Sequence, residues 1–254
     1  MSLQIIPAID LKGGRCVRLS QGQKETATIY DDDPVSVAKT FELAGAQIIH
    51  IVDLDAAFNG RESTNRSVVQ KIAGKVSVPI QFGGGVRTLI DVSDLINSGV
   101  SRVILGTLAT ESIESLRELL EEFGSQICVG IDARDGVVMT HGWNASTNMS
   151  PSDFAVAVAK LGVERIIYTD ITRDGMLSGP NIEQTVALAR KSGVQVTASG
   201  GVSSLDDIRR LREAGEPLVD SVIVGRALYE RRFTLKEALE AASSEKNYDS
   251  TSFS

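Results

Sequence analysis

Short apolar runs recur along the chain: Ile5–Ile9, Ile48–Val52, Pro79–Phe82, Val103–Leu105, Ile127–Ile131, Arg165–Tyr168, Val194–Ala198 and Ser221–Val224. They are continuous rather than alternating and rich in β-branched residues, as in strands buried on both faces of a parallel sheet. Between them lie stretches of helical period: Val35–Ala44, Arg66–Ala73, Leu89–Asn97, Ile113–Phe123, Pro151–Lys160, Ile182–Lys191, Leu205–Ala214 and Leu235–Ala242. Start signals precede several of them, with Asp33 before Pro34, Ser150 before Pro151, Asn181 with Gln184, and Thr234 with Glu237. Strand and helix alternating eight times predict an α/β protein, a (β/α)8 TIM barrel. A doubly wound open sheet is the alternative, but such sheets seldom have eight equal units with a twofold internal echo.

The pattern is written twice. With Gly84 set on Gly200, Gly84-Gly85-Val86 meets Gly200-Gly201-Val202, Thr88-Leu89 meets Ser204-Leu205, Asp91 meets Asp207 and Gly99 meets Gly215. After a three-residue insertion Gly106 meets Gly225. Ala8-Ile-Asp10 is echoed by Gly130-Ile-Asp132, and the segment ending in Asp53 by the one ending in Asp170. Four landmarks in one order, at offsets of 116 to 122 residues, mark a duplicated half-barrel. The expected organisation is a single barrel over 1–242, with halves of about 1–124 and 125–242, and a polar tail, 243–254, that frays.

Three connections that follow strands are long: Leu11–Asp33, Ala133–Met149 and Ile171–Pro180. Strand-to-helix loops form the active-site face of a barrel, so these are where function is sought.

Composition narrows the partners. The 254 residues carry a net charge of −7, which argues against nucleic acid or a membrane surface as the main partner. No apolar run reaches the roughly 18–20 residues of a membrane span, and the first strand begins too early to leave room for a signal peptide. The two cysteines, Cys16 and Cys128, provide neither a disulfide framework nor metal spacing. A cytoplasmic protein without metal is expected.

Chemistry gathers at the strand ends. Asp10 and Asp132 end the first and fifth strands, on opposite sides of the predicted barrel mouth. A carboxylate there is costly to desolvate without a task, and two facing one substrate suit proton shuttling. Capping of a loop is the bland alternative, and Asp53 and Asp170 are read that way. Thr169 ends the sixth strand, and Asp174 precedes Gly175 in its loop. The strand–glycine–helix segments at Gly84, Gly85 and Gly106-Thr107, and again at Gly200, Gly201 and Gly225, place backbone N–H groups around an anion. Two such sites imply a long small-molecule substrate with a phosphate at each end. Arg18, Gly22, Arg87 and Arg226 are further candidate contacts. Trp143, the only tryptophan, lies in a polar loop, suited to a lid that stacks on a planar ring. His50 is expected to be a satisfied core histidine, and His141 shows no ligand spacing.

Pro7-Ala-Ile-Asp-Leu-Lys-Gly-Gly14, Phe82-Gly-Gly-Gly-Val-Arg87, Thr169-Asp-Ile-Thr-Arg-Asp-Gly175, Ala198-Ser-Gly-Gly-Val202 and Val224-Gly-Arg-Ala-Leu228 together resemble the ProFAR isomerases of histidine biosynthesis. The resemblance covers the chain up to about Ala242. It implies a cofactor-free Amadori rearrangement of an aminoaldose to an aminoketose. Nothing in the sequence demands a dimer, so a monomer is expected. By the same carry-over Asp10 is the base and Asp132 the proton donor, with Asp174 competing for the acid role and Thr169 supporting. Gly85, Gly106 and Thr107 hold one phosphate; Gly179, Gly201, Gly225 and Arg226 hold the other. The cyclase subunit of imidazole glycerol phosphate synthase is a related barrel, but it normally lacks the Gly-Trp and Gly-Arg-Ala-Leu segments present here. A bifunctional relative also isomerises phosphoribosyl anthranilate in tryptophan biosynthesis. That group usually has Arg before its Gly-Trp where this chain has His141, so single activity is expected.

Overall fold

The computed structural model describes residues 2–20, 23–59 and 63–243. Eight parallel strands form the barrel: β1 (Gln4–Lys12), β2 (Ile49–Asp53), β3 (Ile80–Gly83), β4 (Arg102–Leu105), β5 (Ile127–Arg134), β6 (Arg165–Asp170), β7 (Gln195–Ser199) and β8 (Val219–Val224). Each pairs with the next, β8 pairs with β1, and the ring closes. Eight helices cover it: α1 (Pro34–Leu43), α2 (Asn65–Ala73), α3 (Leu89–Asn97), α4 (Ile113–Phe123), α5 (Pro151–Lys160), α6 (Ile182–Ser192), α7 (Leu205–Glu213) and α8 (Leu235–Ala242). The expected (β/α)8 architecture is therefore present, and no described helix is long and apolar enough to cross a membrane.

Burial on both faces explains the continuous apolar strands. Outward residues such as Ile9, Ile51, Phe82 and Ile131 pack under the helices. A smaller inner cluster of Ile6, Ala8, Ile48, Ile104, Cys128, Ile167 and Ile223 fills the barrel. Below it the interior turns polar, where Arg165 binds Asp220 through both nitrogens (2.6 and 2.7 Å) and Thr197 meets Ser221 at 2.7 Å.

The caps fall where the sequence signals them. Asp33, Ser150 and Asn181 each accept from backbone N–H groups of the helix that follows. Thr88 with Asp91, Ser204 with Asp207, and Thr234 with Glu237 form reciprocal capping boxes. Asp91 and Asp207, repeat equivalents, also accept from Arg87 N (3.0 Å) and Ser203 N (2.9 Å), and so draw the glycine loops onto α3 and α7.

Two long connections contain structure that strand periodicity does not predict. β1 turns at Gly13-Gly14 into an antiparallel hairpin, Arg15–Ser20 with Gln23–Asp31. β5 turns at Asp135-Gly136 into Val137–Thr140, itself paired with Ala145–Ser146. Both turns are two residues long with positive φ throughout, 57° and 77° in the first, 52° and 78° in the second, the geometry that suits a twisted hairpin. The duplication thus extends to the loops, with Asp10 opposite Val17 and Asp132 opposite Met139. The tail from residue 244 lies outside the described residues.

Candidate active site

At the C-terminal end of the strands the barrel opens into a cavity of about 430 Å³. Asp10, Asp132, Thr169, Asp174, Trp143, Arg87, Arg226 and the glycines at 84, 85, 106, 200, 201 and 225 all line it, as does Thr107. β1 and β5 lie four strands apart in the closed ring, so Asp10 and Asp132 face each other across the mouth.

Asp132 has the most distinctive environment. The Trp143 indole N–H donates to its Oδ2 at 2.7 Å, and the Thr169 hydroxyl, level with it across the β5–β6 register, also bonds to it. Burial pushes its carboxyl above the ordinary value of 3.8, opposed by those two bonds and reinforced by the Asp174 charge. The Asp174 N–H donates to the Asp170 carbonyl at 3.0 Å, which turns the loop after β6 back on the strand end.

Asp53 and Asp170 serve as loop anchors. Asp53 is fully buried and accepts from Asn65 Nδ2 (2.7 Å), Ser63 Oγ (3.0 Å) and Ala56 N (3.0 Å). Asp170 accepts from Asn181 Nδ2 (2.7 Å) and from the Thr172 hydroxyl (2.6 Å). Each lies against one glycine loop. A Cβ on Gly84 (φ +102°) would lie 2.3 Å from the Asp53 carbonyl oxygen, and one on Gly200 would lie 3.0 Å from that of Asp170.

The two strand–glycine–helix segments expected to cradle anions are built alike. Gly106 (φ −99°, ψ −94°) caps the short helix Thr107–Glu111, and Gly225 (φ −110°, ψ −95°) caps Arg226–Tyr229. Neither start has a side-chain cap, so the first amides remain available to an anion. Gly179 does not line the cavity. It supports the second cradle, donating its N–H to the Gly201 carbonyl at 2.9 Å. The Arg226 guanidinium is already tied to Glu230 and to the carbonyl of Gly175, and so braces the β6 loop.

Residues 4–234 match the sequence profile of the family described as histidine biosynthesis protein. The chain belongs to that family. It is 47% identical over 239 residues, 94% of this chain and 98% of the relative, to a Shouchella clausii protein. Against a Geobacillus thermodenitrificans protein the identity is 48% over 240 residues, again 94% and 98% of the two chains. A Moorella thermoacetica protein is 46% identical over 238 residues with the same coverage. All three are named 1-(5-phosphoribosyl)-5-((5-phosphoribosylamino)methylideneamino) imidazole-4-carboxamide isomerase.

Within this family frame, most of the residues read from sequence converge on the cavity. Arg18 lies on the hairpin strand opposite Thr28, its side chain outside what the structure describes, and Gly22 lies outside the described residues. His50 is buried and satisfied at Nδ1 by Gln81 (3.0 Å), yet it also lines the cavity floor, which its position inside a strand does not announce. Burial lowers its imidazole to about 4, so it is neutral at physiological pH. Phe58 and Glu111 line the wall as well and carry no sequence signal of their own, because their helices, Leu54–Asn59 and Thr107–Glu111, are too short to show a period.

Proposed function

We propose that this chain is a ProFAR isomerase of histidine biosynthesis, converting the aminoaldose to its aminoketose by acid–base catalysis without a cofactor, as a monomer. One observation carries the reading. Two opposed carboxylates share a cavity flanked by two equivalent anion cradles, and the compound in the relatives' name bears two phosphoribosyl groups.

In this reading Asp132 is the acid and gives its proton to the ring oxygen as the sugar C1–O bond breaks, a role towards which burial shifts its carboxyl by raising it. The amine lone pair forms the C=N bond of a Schiff base. Asp10 then takes the proton from C2, that electron pair forms the C1=C2 bond as the C=N pair returns to nitrogen, and the enolamine becomes the ketose as C1 gains a proton and the C2 hydroxyl loses one. The cradles hold the phosphates and fix C1 and C2 between the carboxylates, where much of the rate gain from positioning arises. Trp143 and Thr169 orient Asp132.

The deciding experiment assays purified protein in parallel with ProFAR and with phosphoribosyl anthranilate. Turnover of ProFAR alone is the expected result. Turnover of both would make the enzyme bifunctional, and turnover of neither would overturn the proposal.

A further inference from the structure

We propose that Glu111 is a positioning residue for this reaction: through His141 it holds the Trp143 loop over the cavity and thereby orients the Asp132 carboxylate. The inference rests on the isomerase reading above and adds to it a residue that does not touch the reacting atoms.

The helix Thr107–Glu111 has two tasks on this geometry. Its first turn forms the cradle at Gly106, and both its ends grip the loop that follows Thr140. The His141 N–H donates to Thr107 Oγ1 at 2.9 Å, and His141 Nε2 lies 3.3 Å from Glu111 Oε1. The other ring nitrogen, Nδ1, meets the Thr140 hydroxyl at 3.2 Å. The imidazole is therefore fixed at both nitrogens, with Glu111 as its outer partner.

The loop needs such ties. His141, Gly142 and Trp143 follow one another with φ of 53°, 60° and 71°. Two of the three carry side chains that disfavour the left-handed region, so the segment persists only where its surroundings enforce it. Beneath it, Gly142 is pressed on Phe58, where a Cβ would lie 2.8 Å from the ring. At its far end the Trp143 indole reaches Asp132 at 2.7 Å. A contact chain thus runs from Glu111 through His141 and Trp143 to the proposed acid.

The pairing also has an electrostatic use. Glu111 lines the cavity beside a cradle meant for phosphate, where a free carboxylate would repel the anion. The imidazole holds it aside. A hydroxyl donates once and accepts twice, so Thr107 can keep the loop while giving its proton to a phosphate oxygen.

Trp143 is the only tryptophan, so its fluorescence reports this loop alone. The test compares the intact protein with Glu111→Gln, His141→Asn and the double variant, Asn being chosen because it tolerates positive φ. An exposed pair of this kind shifts an equilibrium roughly 1.4- to 5-fold. Acrylamide quenching of the substrate-free protein is expected to rise about twofold in each single variant, and no further in the double variant. With ProFAR, kcat falls about two- to fivefold in both. KM rises in His141→Asn, which frees the Glu111 charge, and does not rise in Glu111→Gln. Glu114→Gln, which removes a charge paired with Arg117 on α4, leaves all readouts unchanged. Unchanged quenching and kcat in Glu111→Gln, or fully additive effects in the double variant, would overturn the proposal. If the intact protein fails to turn over ProFAR the isomerase reading falls, while the quenching arms still decide the role of Glu111.

Discussion

The indole N–H of Trp143 and the hydroxyl of Thr169 meet on one carboxylate, Asp132. The carboxyl is held above its ordinary value of 3.8 by burial, so ionising it costs more in the folded state than in the unfolded one. That cost is absent below about pH 3.8, grows as pH rises from there, and is complete once pH has passed the folded value. Replacing the group with an amide, which can still accept from Trp143, removes it. Asp132→Asn is therefore expected to raise Tm at pH 7 while turnover collapses. Thermal melts at pH 7 and pH 3.5 check this, and a gain equal at both would remove burial of the charge as its cause.

Asp10→Asn is expected to reduce turnover by about 10²–10⁴-fold, the contribution of a positioned general base, with bisphosphate binding left within a few-fold. Calorimetric titration beside the assay separates the two. A variant that kept most of its rate would exclude Asp10 as the base.

His50 supplies a second, opposite pH dependence. Its imidazole is lowered by burial to about 4 from 6.5, so the unfolded chain takes up a proton before the folded one does as pH falls. Stability is lost across that window, by up to about 1.4 kcal/mol per pH unit for one proton. His50→Gln should flatten this limb. Urea midpoints between pH 7 and pH 4.5 measure it, and parallel curves for the two proteins would contradict the assignment.

Gly201 and Gly193 separate conformational cost from crowding. Both have positive φ, +91° and +74°, but a Cβ on Gly201 would lie 2.4 Å from the Gly179 carbonyl oxygen, whereas one on Gly193 meets nothing within 4 Å. Gly193→Ala is expected to cost about 1 kcal/mol from the αL penalty alone. Gly201→Ala should cost about 1–3 kcal/mol more, because the support of the second cradle has to shift. Denaturant midpoints settle the ordering, and equal losses would refute the crowding.

The strands and long helices are legible in the sequence because burial imposes a period, and the strongest signals, such as the boxes Thr88–Asp91 and Ser204–Asp207, sit at the stated residues. The hairpins beyond β1 and β5 are not, although Gly13-Gly14 and Asp135-Gly136 are turn signals for them. Their strands carry short, mixed sequences that periodicity alone leaves as loop. The site is legible residue by residue but not in its pairings. Sequence puts Trp143 in a polar loop; only three successive left-handed residues turn its indole onto Asp132. Likewise it marks Arg226 as an anion contact, while the structure shows its guanidinium engaged by Glu230 and the Gly175 carbonyl.

The near-identical backbones at Gly106 and Gly225 mean that a half-turn about the barrel axis exchanges one cradle for the other and Asp10 for Asp132. A substrate with like charges at its two ends could then lie in either sense, and only one sense brings its reacting sugar to the correct pair of groups. Direction has to be read from what the repeat leaves uncopied. The first half of the chain has no tryptophan, so the loop that carries Trp143 gives the symmetric mouth a polarity.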